Sequence, residues 1–185
     1  MKDLVVTENI TLDGVIDAAG DWFGPMDATE DTADLVEAID EHRRGADAFL
    51  TGRATFEAMR EFWPAQTDDE TGNTDYLNRV HKYVVSSTLE DPGWEPTTVL
   101  RGLDDVRSLK QGDGGDIVTT GSLTLVPALI AAGLVDEYRL FTYPIVLGRG
   151  QRLFGDADNV PRLRLTECRS FRSGVVLLRY RPEMP

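Results

Sequence analysis

The sequence predicts one α/β domain built on a mixed, mostly parallel sheet whose C-terminal edge is antiparallel. Three observations carry this expectation. Short apolar strands alternate with amphipathic helices over the first three quarters of the chain, the pattern of parallel βαβ units. From Asp136 onward the pattern changes to strands alone, with a glycine between the last two. The 185 residues, 41% of them hydrophobic, supply one sizeable core, and no repeat, low-complexity tract or long linker divides them.

The elements follow in order. Residues 3–9 make a first strand, ended by the turn signal Leu12-Asp13-Gly14. Residues 17–29 form a Gly/Pro/Asp-rich loop that carries Trp22 and Phe23. Thr32 to Arg44 is an amphipathic helix with Leu35, Val36 and Ile39 on one face and Gly45 placed as its C-cap. Ala46 to Leu50 is a short buried strand, and Thr51-Gly52-Arg53-Ala54-Thr55 turns into a helix ending about Phe62. Pro64 through Asn73 is polar and reads as loop. Strands at Lys82–Ser86 and Thr97–Leu100 precede a small helix, Leu103–Lys110, whose Asp104 and Asp105 suit the positive end of the helix dipole. Gly112 to Gly115 is turn material before a strand at Asp116–Thr120. The Ala/Leu-rich stretch to Ala132 is a helix closed by Gly133, and Pro127, having no amide proton, must lie near its first turn or kink it. Strands at 136–147, 162–170 and 174–181 finish the chain, with Gly174 turning the last hairpin.

Composition excludes several functions. A net charge of -13 opposes binding to nucleic acid or an anionic membrane, both of which require a basic surface. No apolar run approaches a membrane span, and the N-terminus has no signal-peptide pattern, so the cytoplasm is the expected compartment. Cys168 stands alone, which removes an internal disulfide and a Cys-based zinc cluster, and its strand-like surroundings predict a buried structural thiol. His42 and His81 are the only histidines and lie far apart, so a metal centre or a Ser-His-Asp triad is poorly supplied.

Three junctions gather the right chemistry for phosphate: Thr51-Gly52-Arg53-Ala54-Thr55, Ser86-Ser87-Thr88, and Thr119-Thr120-Gly121-Ser122-Leu123-Thr124. In open α/β sheets ligands sit beyond the carboxyl ends of the strands. The first and third junctions lead into helices, whose free amides attract anions, while glycine admits close backbone approach and arginine offers a bidentate fork. Each is individually the composition of an ordinary turn and cap. Neither the Rossmann Gly-x-Gly-x-x-Gly nor a P-loop is present.

The segments together resemble a known family. Leu12-Asp13-Gly14-Val15-Ile16 is similar to the Ser-Leu-Asp-Gly motif of the reductase domain of bifunctional riboflavin-biosynthesis enzymes, and Gly52-Arg53-Ala54-Thr55-Phe56-Glu57 to a segment shared with dihydrofolate reductases. Gly133-Leu134-Val135-Asp136-Glu137, and Tyr143 through Gly150 ending in Leu153-Phe154, resemble two later signatures. The deaminase zinc signature is absent, which points to the stand-alone branch.

The resemblance implies a three-layer α/β/α dihydrofolate-reductase-like fold, NADP as cofactor, a small heterocyclic or sugar-like substrate, and a homodimer. It implies that Arg53 holds the 2′-phosphate, with Ser86 or Ser87 on the adenosine side. Gly52 and Thr55 would meet the pyrophosphate, with Thr120, Gly121, Ser122, Leu123 and Thr124 wrapping its other flank. Many relatives carry Gly-Gly where this chain has Thr120-Gly121.

The substrate side is thinner. Asp13, Trp22 and Tyr143 are candidates there, Asp13 equally as a turn former and Trp22 with Phe23 equally as core lids. Glu30, Asp31 and Asp34 match a pterin-binding acid by position, yet an acidic first turn suits any helix. Arg149 and Tyr143 would line the pocket or a dimer contact. No catalytic residue is assigned, since hydride chemistry belongs to the cofactor. Three other readings stay open: a folate reductase, a non-catalytic nucleotide- or ligand-binding homodimer, and a hydrolase using Ser86 or Ser122.

Overall fold

The structure, a computed structural model, describes residues 1–17, 22–23, 31–69, 71–155 and 162–183. The strands are β1 (Leu4–Thr11), β2 (Ala46–Gly52), β3 (His81–Val85), β4 (Thr97–Leu100), β5 (Asp116–Thr119), β6 (Glu137–Tyr143), β7 (Leu163–Ser170) and β8 (Val176–Pro182). The helices are α1 (Ala33–Gly45), α2 (Arg53–Phe62), α3 (Asn73–Arg79), α4 (Leu103–Lys110) and α5 (Leu125–Ala131), with a 3₁₀ turn at Trp63–Ala65. The strands form an eight-stranded sheet in the order β4-β3-β2-β5-β1-β6-β8-β7. Strands β4 through β6 are parallel, and β6–β8 and β8–β7 are antiparallel, the mixed sheet the sequence predicts.

Helices cover both faces. Leu4, Val6, Ile10, Leu50, Ile117 and Tyr138 face α4 and α5 through Val106, Leu125, Val126 and Leu129. On the opposite face Phe49, Phe56, Leu77 and Val84 join α2 and α3, and Leu35, Ala38, Phe141 and Leu177 join α1. This is why Leu4-Val5-Val6 is a continuous buried run: a parallel strand covered on both sides has no solvent face. Among the described residues no helix is long and apolar enough to cross a membrane.

Several details differ from the sequence expectations. Helix α3 meets the expected loop only at Asn73 and otherwise occupies residues 74–79, where the sequence reading assigns no element. It is short, and it is set by Asp69, whose carboxylate accepts from the amides of Thr71 (3.0 Å) and Thr74 (2.7 Å), so a local side-chain bond replaces apolar periodicity. β6 stops at Tyr143 and does not reach Leu147, because Pro144 has no amide to continue the ladder. Gly45 is the last residue of α1 and does not take the left-handed cap conformation; the helix runs directly into β2. Cys168 is exposed, correcting the expected buried thiol: β7 is the sheet's outer strand, and nothing in the sheet order lies beyond it.

One charged network ties the sheet's later half together. Glu137, 2% exposed, accepts from Arg139 (2.6 Å), Arg179 (2.8 Å) and Arg181 (3.2 Å), and these reach on to Asp116, Glu167 and Asp3. Burial alone would push the Glu137 carboxyl up, but the Arg139 and Arg179 guanidiniums outweigh it and hold it below the usual range. Replacing Glu137 with Ala strands the 6% exposed Arg139 beside its remaining partner. The expected loss is roughly 3–5 kcal/mol of folding stability, read by urea denaturation at neutral pH.

Candidate functional site

β2, β3 and β5 are neighbours and parallel, so their carboxyl ends, and the three hydroxyl-rich junctions, lie along one edge of the sheet. The junctions after β2 and β5 are joined by the Ser122 side chain. Its hydroxyl accepts from the Gly52 amide at 2.7 Å and donates to Thr55 Oγ1 at 3.1 Å, and it lies 3.2 Å from Thr51 Oγ1. The approach is tight, since a Cβ on Gly52 would sit 3.2 Å from Ser122 Oγ, so a larger residue there would make the clamp give by a few tenths of an ångström.

Two successive residues of the turn are left-handed, Gly121 (φ +62°) and Ser122 (φ +62°), and Ser122 is the one non-glycine with positive φ among the described residues. That strained conformation is held by the bonds its hydroxyl makes. Thr120 has an ordinary φ, so threonine in place of glycine there costs no backbone strain. The Gly121 amide donates to Glu8 Oε2 at 3.1 Å. Leu123 is half-buried, with its carbonyl accepting from Gln151 Nε2, and Thr124, exposed, precedes α5.

The start of α2 combines an acid-free first turn with an arginine, Arg53. As in the other helices, its N-cap makes no side-chain cap bond, and its first turn, like that of α5, contains no acid, whereas α1, α3 and α4 each have aspartate there. No acid of the first turn competes for the first amides of α2, and Arg53 lies beside them. Arg53 is half-exposed; its Nη1 donates to Thr88 Oγ1 at 2.8 Å, and its Nε lies 3.6 Å from Glu57.

Ser86 and Ser87 divide. The buried Ser86 hydroxyl accepts from the amides of Thr88 (3.2 Å) and Leu89 (3.0 Å) and so shapes the turn, while Ser87 is exposed. Arg101, at the end of β4, fixes the same turn by donating to the carbonyls of Ser86 (3.1 Å) and Leu89 (3.0 Å). Thr88 belongs to the Ser86-Ser87-Thr88 junction read from the sequence, without a role of its own there; Arg101 was not among the sequence candidates, although it follows a strand end and the same positional rule covers it.

Glu8 was also missed, hidden in a strand where alternation gives it no distinction. It is 4% exposed, its Oε1 is buried without a partner, and burial pushes its pKa up to about 8 against the partial pull of the Gly121 amide.

On the substrate side, Asp13 is occupied by the protein itself. Its carboxylate accepts from Thr11 Oγ1 (2.6 Å) and from the amides of Leu147 (3.2 Å) and Gly148 (2.8 Å), bonds that hold its pKa down to about 2 and pin the loop after β6. Trp22 meets Tyr143 edge-on at 5.4 Å and Phe23 at 4.9 Å, with Nε1 donating to the Asp17 carbonyl (2.7 Å), an aromatic wall at the carboxyl end of β6. Asp34 receives the Arg172 amide at 3.1 Å and its guanidinium at 3.6 Å, a link from α1 to the β7–β8 turn. Asp31 and Arg149 are exposed, and Glu30 lies outside the described residues. Neither candidate serine has a histidine at hand: His81 contacts Thr98 at 2.9 Å and His42 packs on Phe141, away from Ser86 and Ser122. The hydrolase reading therefore fails on geometry.

Comparison with known proteins gives a consistent result. The chain matches the RibD C-terminal domain family over residues 2–177. It is 33% identical over 186 residues to the uncharacterized protein YyaP of Bacillus subtilis strain 168, covering 97% of this chain and 94% of that protein. Among solved structures, a Shewanella sp. PV-4 protein assigned to riboflavin biosynthesis superposes with a TM-score of 0.70 at 20% identity, over 100% of both chains. The Thermotoga maritima diaminohydroxyphosphoribosylaminopyrimidine deaminase/5-amino-6-(5-phosphoribosylamino)uracil reductase does so with a TM-score of 0.67 at 17% identity, over 98% of this chain and 57% of that one. The three-layer fold implied by the sequence motifs is the fold of these relatives.

Replacing Ser122 with Ala leaves the buried Gly52 amide without its acceptor. The expected loss is about 1–3 kcal/mol in a denaturant titration, and wild-type stability in this variant would show that the clamp carries no weight.

Proposed function

Because the chain belongs to the RibD C-terminal domain family, we propose that it is an NADPH-dependent reductase of a small heterocyclic or sugar-like substrate. The observation that carries this is the start of α2: an uncapped, acid-free helix terminus at Gly52, flanked by Arg53 and closed by Ser122. The chemistry supports the reading, since amides, hydroxyls and one guanidinium are the donor set a pyrophosphate and a 2′-phosphate require. The Thermotoga relative's name supplies the substrate class, a substituted aminouracil, and a pyrimidine is our first choice here.

NADPH, when bound, supplies a hydride from nicotinamide C4 to an electrophilic carbon. The chain's own residues bind and orient. The α2 amides of Arg53 to Thr55 receive the pyrophosphate, Gly121 lets the turn backbone come close, and Ser122 keeps both segments in register. Arg53, aligned by Thr88 and joined by Ser87 on the adenosine side, selects the 2′-phosphate. The Trp22–Tyr143 wall shields the far end from water.

Placement in the cytoplasm suits an acidic chain with one unpaired cysteine. The homodimer forms through the outer β7–β8 hairpin, where Leu165 is 49% exposed.

Titration with NADPH and NADH, followed by quenching of tryptophan fluorescence, tests the site. NADPH should bind at least tenfold more tightly than NADH, and Arg53→Ala should erase that preference, as loss of a charged hydrogen bond predicts. No binding of either nucleotide at millimolar concentration sinks the proposal, and tight binding with no turnover of any pyrimidine favours the non-catalytic homodimer. For the assembly, light scattering should return twice the chain mass, with Leu165→Glu returning it to one.

A further inference from the structure

One acid beneath the Gly121 turn has no part in the scheme above. Glu8 lies on β1 just beyond the last β1–β5 pair, Val6 with Thr119, where β5 has ended and β1 continues beside β6 alone. Its Oε2 accepts from the Gly121 amide at 3.1 Å, while its Oε1 is buried without a partner, as is Thr119 Oγ1 on the neighbouring strand.

Among the described residues no charged group is bonded to or paired with it. Register pairs Glu8 with Leu140, so the same face of β6 presents Tyr138, Leu140 and Thr142, and the same face of β5 presents Ile117 and Thr119. Neither α5 nor the segment from Thr119 to Thr124 contains an ionisable side chain. Tyr138 is neutral, since burial pushes it up to about 12. Arg139, with its partners Glu137 and Asp116, belongs to the other face of the sheet. A carboxylate at this place would be a buried charge with one oxygen bonded and no cation near it, and such a group keeps its proton.

We propose that Glu8 is a positioning residue that holds the Gly121–Ser122 turn as a neutral carboxylic acid, and that its ionisation expels the anionic dinucleotide from that turn. The identity of the dinucleotide rests on the reductase proposal; the state of Glu8 does not. Two features couple them. The turn that Glu8 grips is the one Ser122 fastens to the start of α2, and a negative charge in a water-poor interior acts on a nearby anion with little screening. Cofactor is therefore admitted while Glu8 is protonated and rejected once it is not.

The test is NADPH affinity from pH 6 to 9.5. In the wild type the Kd should be flat near neutrality and rise about tenfold per pH unit once Glu8 ionises, above about pH 8. In Glu8→Gln, which cannot ionise, that rise should vanish; an identical rise in both proteins, or a flat wild-type profile, overturns the proposal.

A second measurement needs no nucleotide. The folded pKa is raised, so the stability linked to it is complete below the unfolded value and is lost as pH rises through about 8. Wild-type Tm should accordingly fall between pH 5 and 9 relative to Glu8→Gln. Carbon-13 NMR of the wild type should show a glutamate carboxyl titrating near pH 8 together with the Gly121 amide. Titration of that carboxyl below pH 6 overturns the proposal whether or not NADPH binds, whereas absence of NADPH binding at every pH with Glu8 titrating near 8 removes the reductase assignment and leaves Glu8 as the neutral anchor of the turn.

Discussion

The hydroxyl of Ser122 joins two segments that are 70 residues apart in the chain, and the geometry of the candidate site depends on that joint. It occupies the Gly52 amide, touches Thr51 and Thr55, and holds its own residue in a left-handed conformation that serine rarely adopts. Because the start of α2 and the turn before α5 are fastened to each other, the α2 amides, Arg53 and the Gly121 backbone keep a fixed relation. Phosphate-sized ligands need such preorganisation, since ordering two loose turns at the moment of binding would consume most of the interaction energy.

A strongly acidic chain keeps acid out of the first turn of α2, with Glu57 one turn further on and 3.6 Å from Arg53. With 32 Asp and Glu against 19 Lys and Arg, much of the arginine is committed to acidic partners, most densely around Glu137. Arg53, at the start of α2, is half-exposed and only loosely associated with Glu57. Glu8, buried under the turn, has its pKa pushed up by burial with no paired cation among the described residues to offset it. The proposed anion site, in a protein of net charge -13, thus relies on local control of protonation and pairing.

Much of the fold was legible in particular residues. The apolar runs Leu4-Val5-Val6 and Ala46 to Leu50, the Gly174 hairpin and the late change to strands alone placed most of the sheet, because burial on two faces and turn chemistry leave direct marks in sequence. Helix α3 was not legible, since one carboxylate, Asp69, organises it in place of a periodic face. The exposure of Cys168 was not legible either: a strand's composition does not state whether another strand lies beyond it.

The sequence by itself determined which residue types stand at the strand ends, and through Gly52-Arg53-Ala54-Thr55 and Gly121-Ser122 it determined what kind of group they can hold. These are local properties, fixed by side-chain chemistry and backbone freedom. The tertiary structure alone decided how those residues divide their work. Ser86 turns inward to shape a loop, Asp13 is consumed by the amides of Leu147 and Gly148, and Ser122 becomes a clamp. It also decided that Glu8 is buried without a counter-ion. A hydrogen-bond partner or a desolvated carboxyl is a property of segments brought together across the sheet, and adjacency of that kind is not encoded in the spacing of residues along the chain.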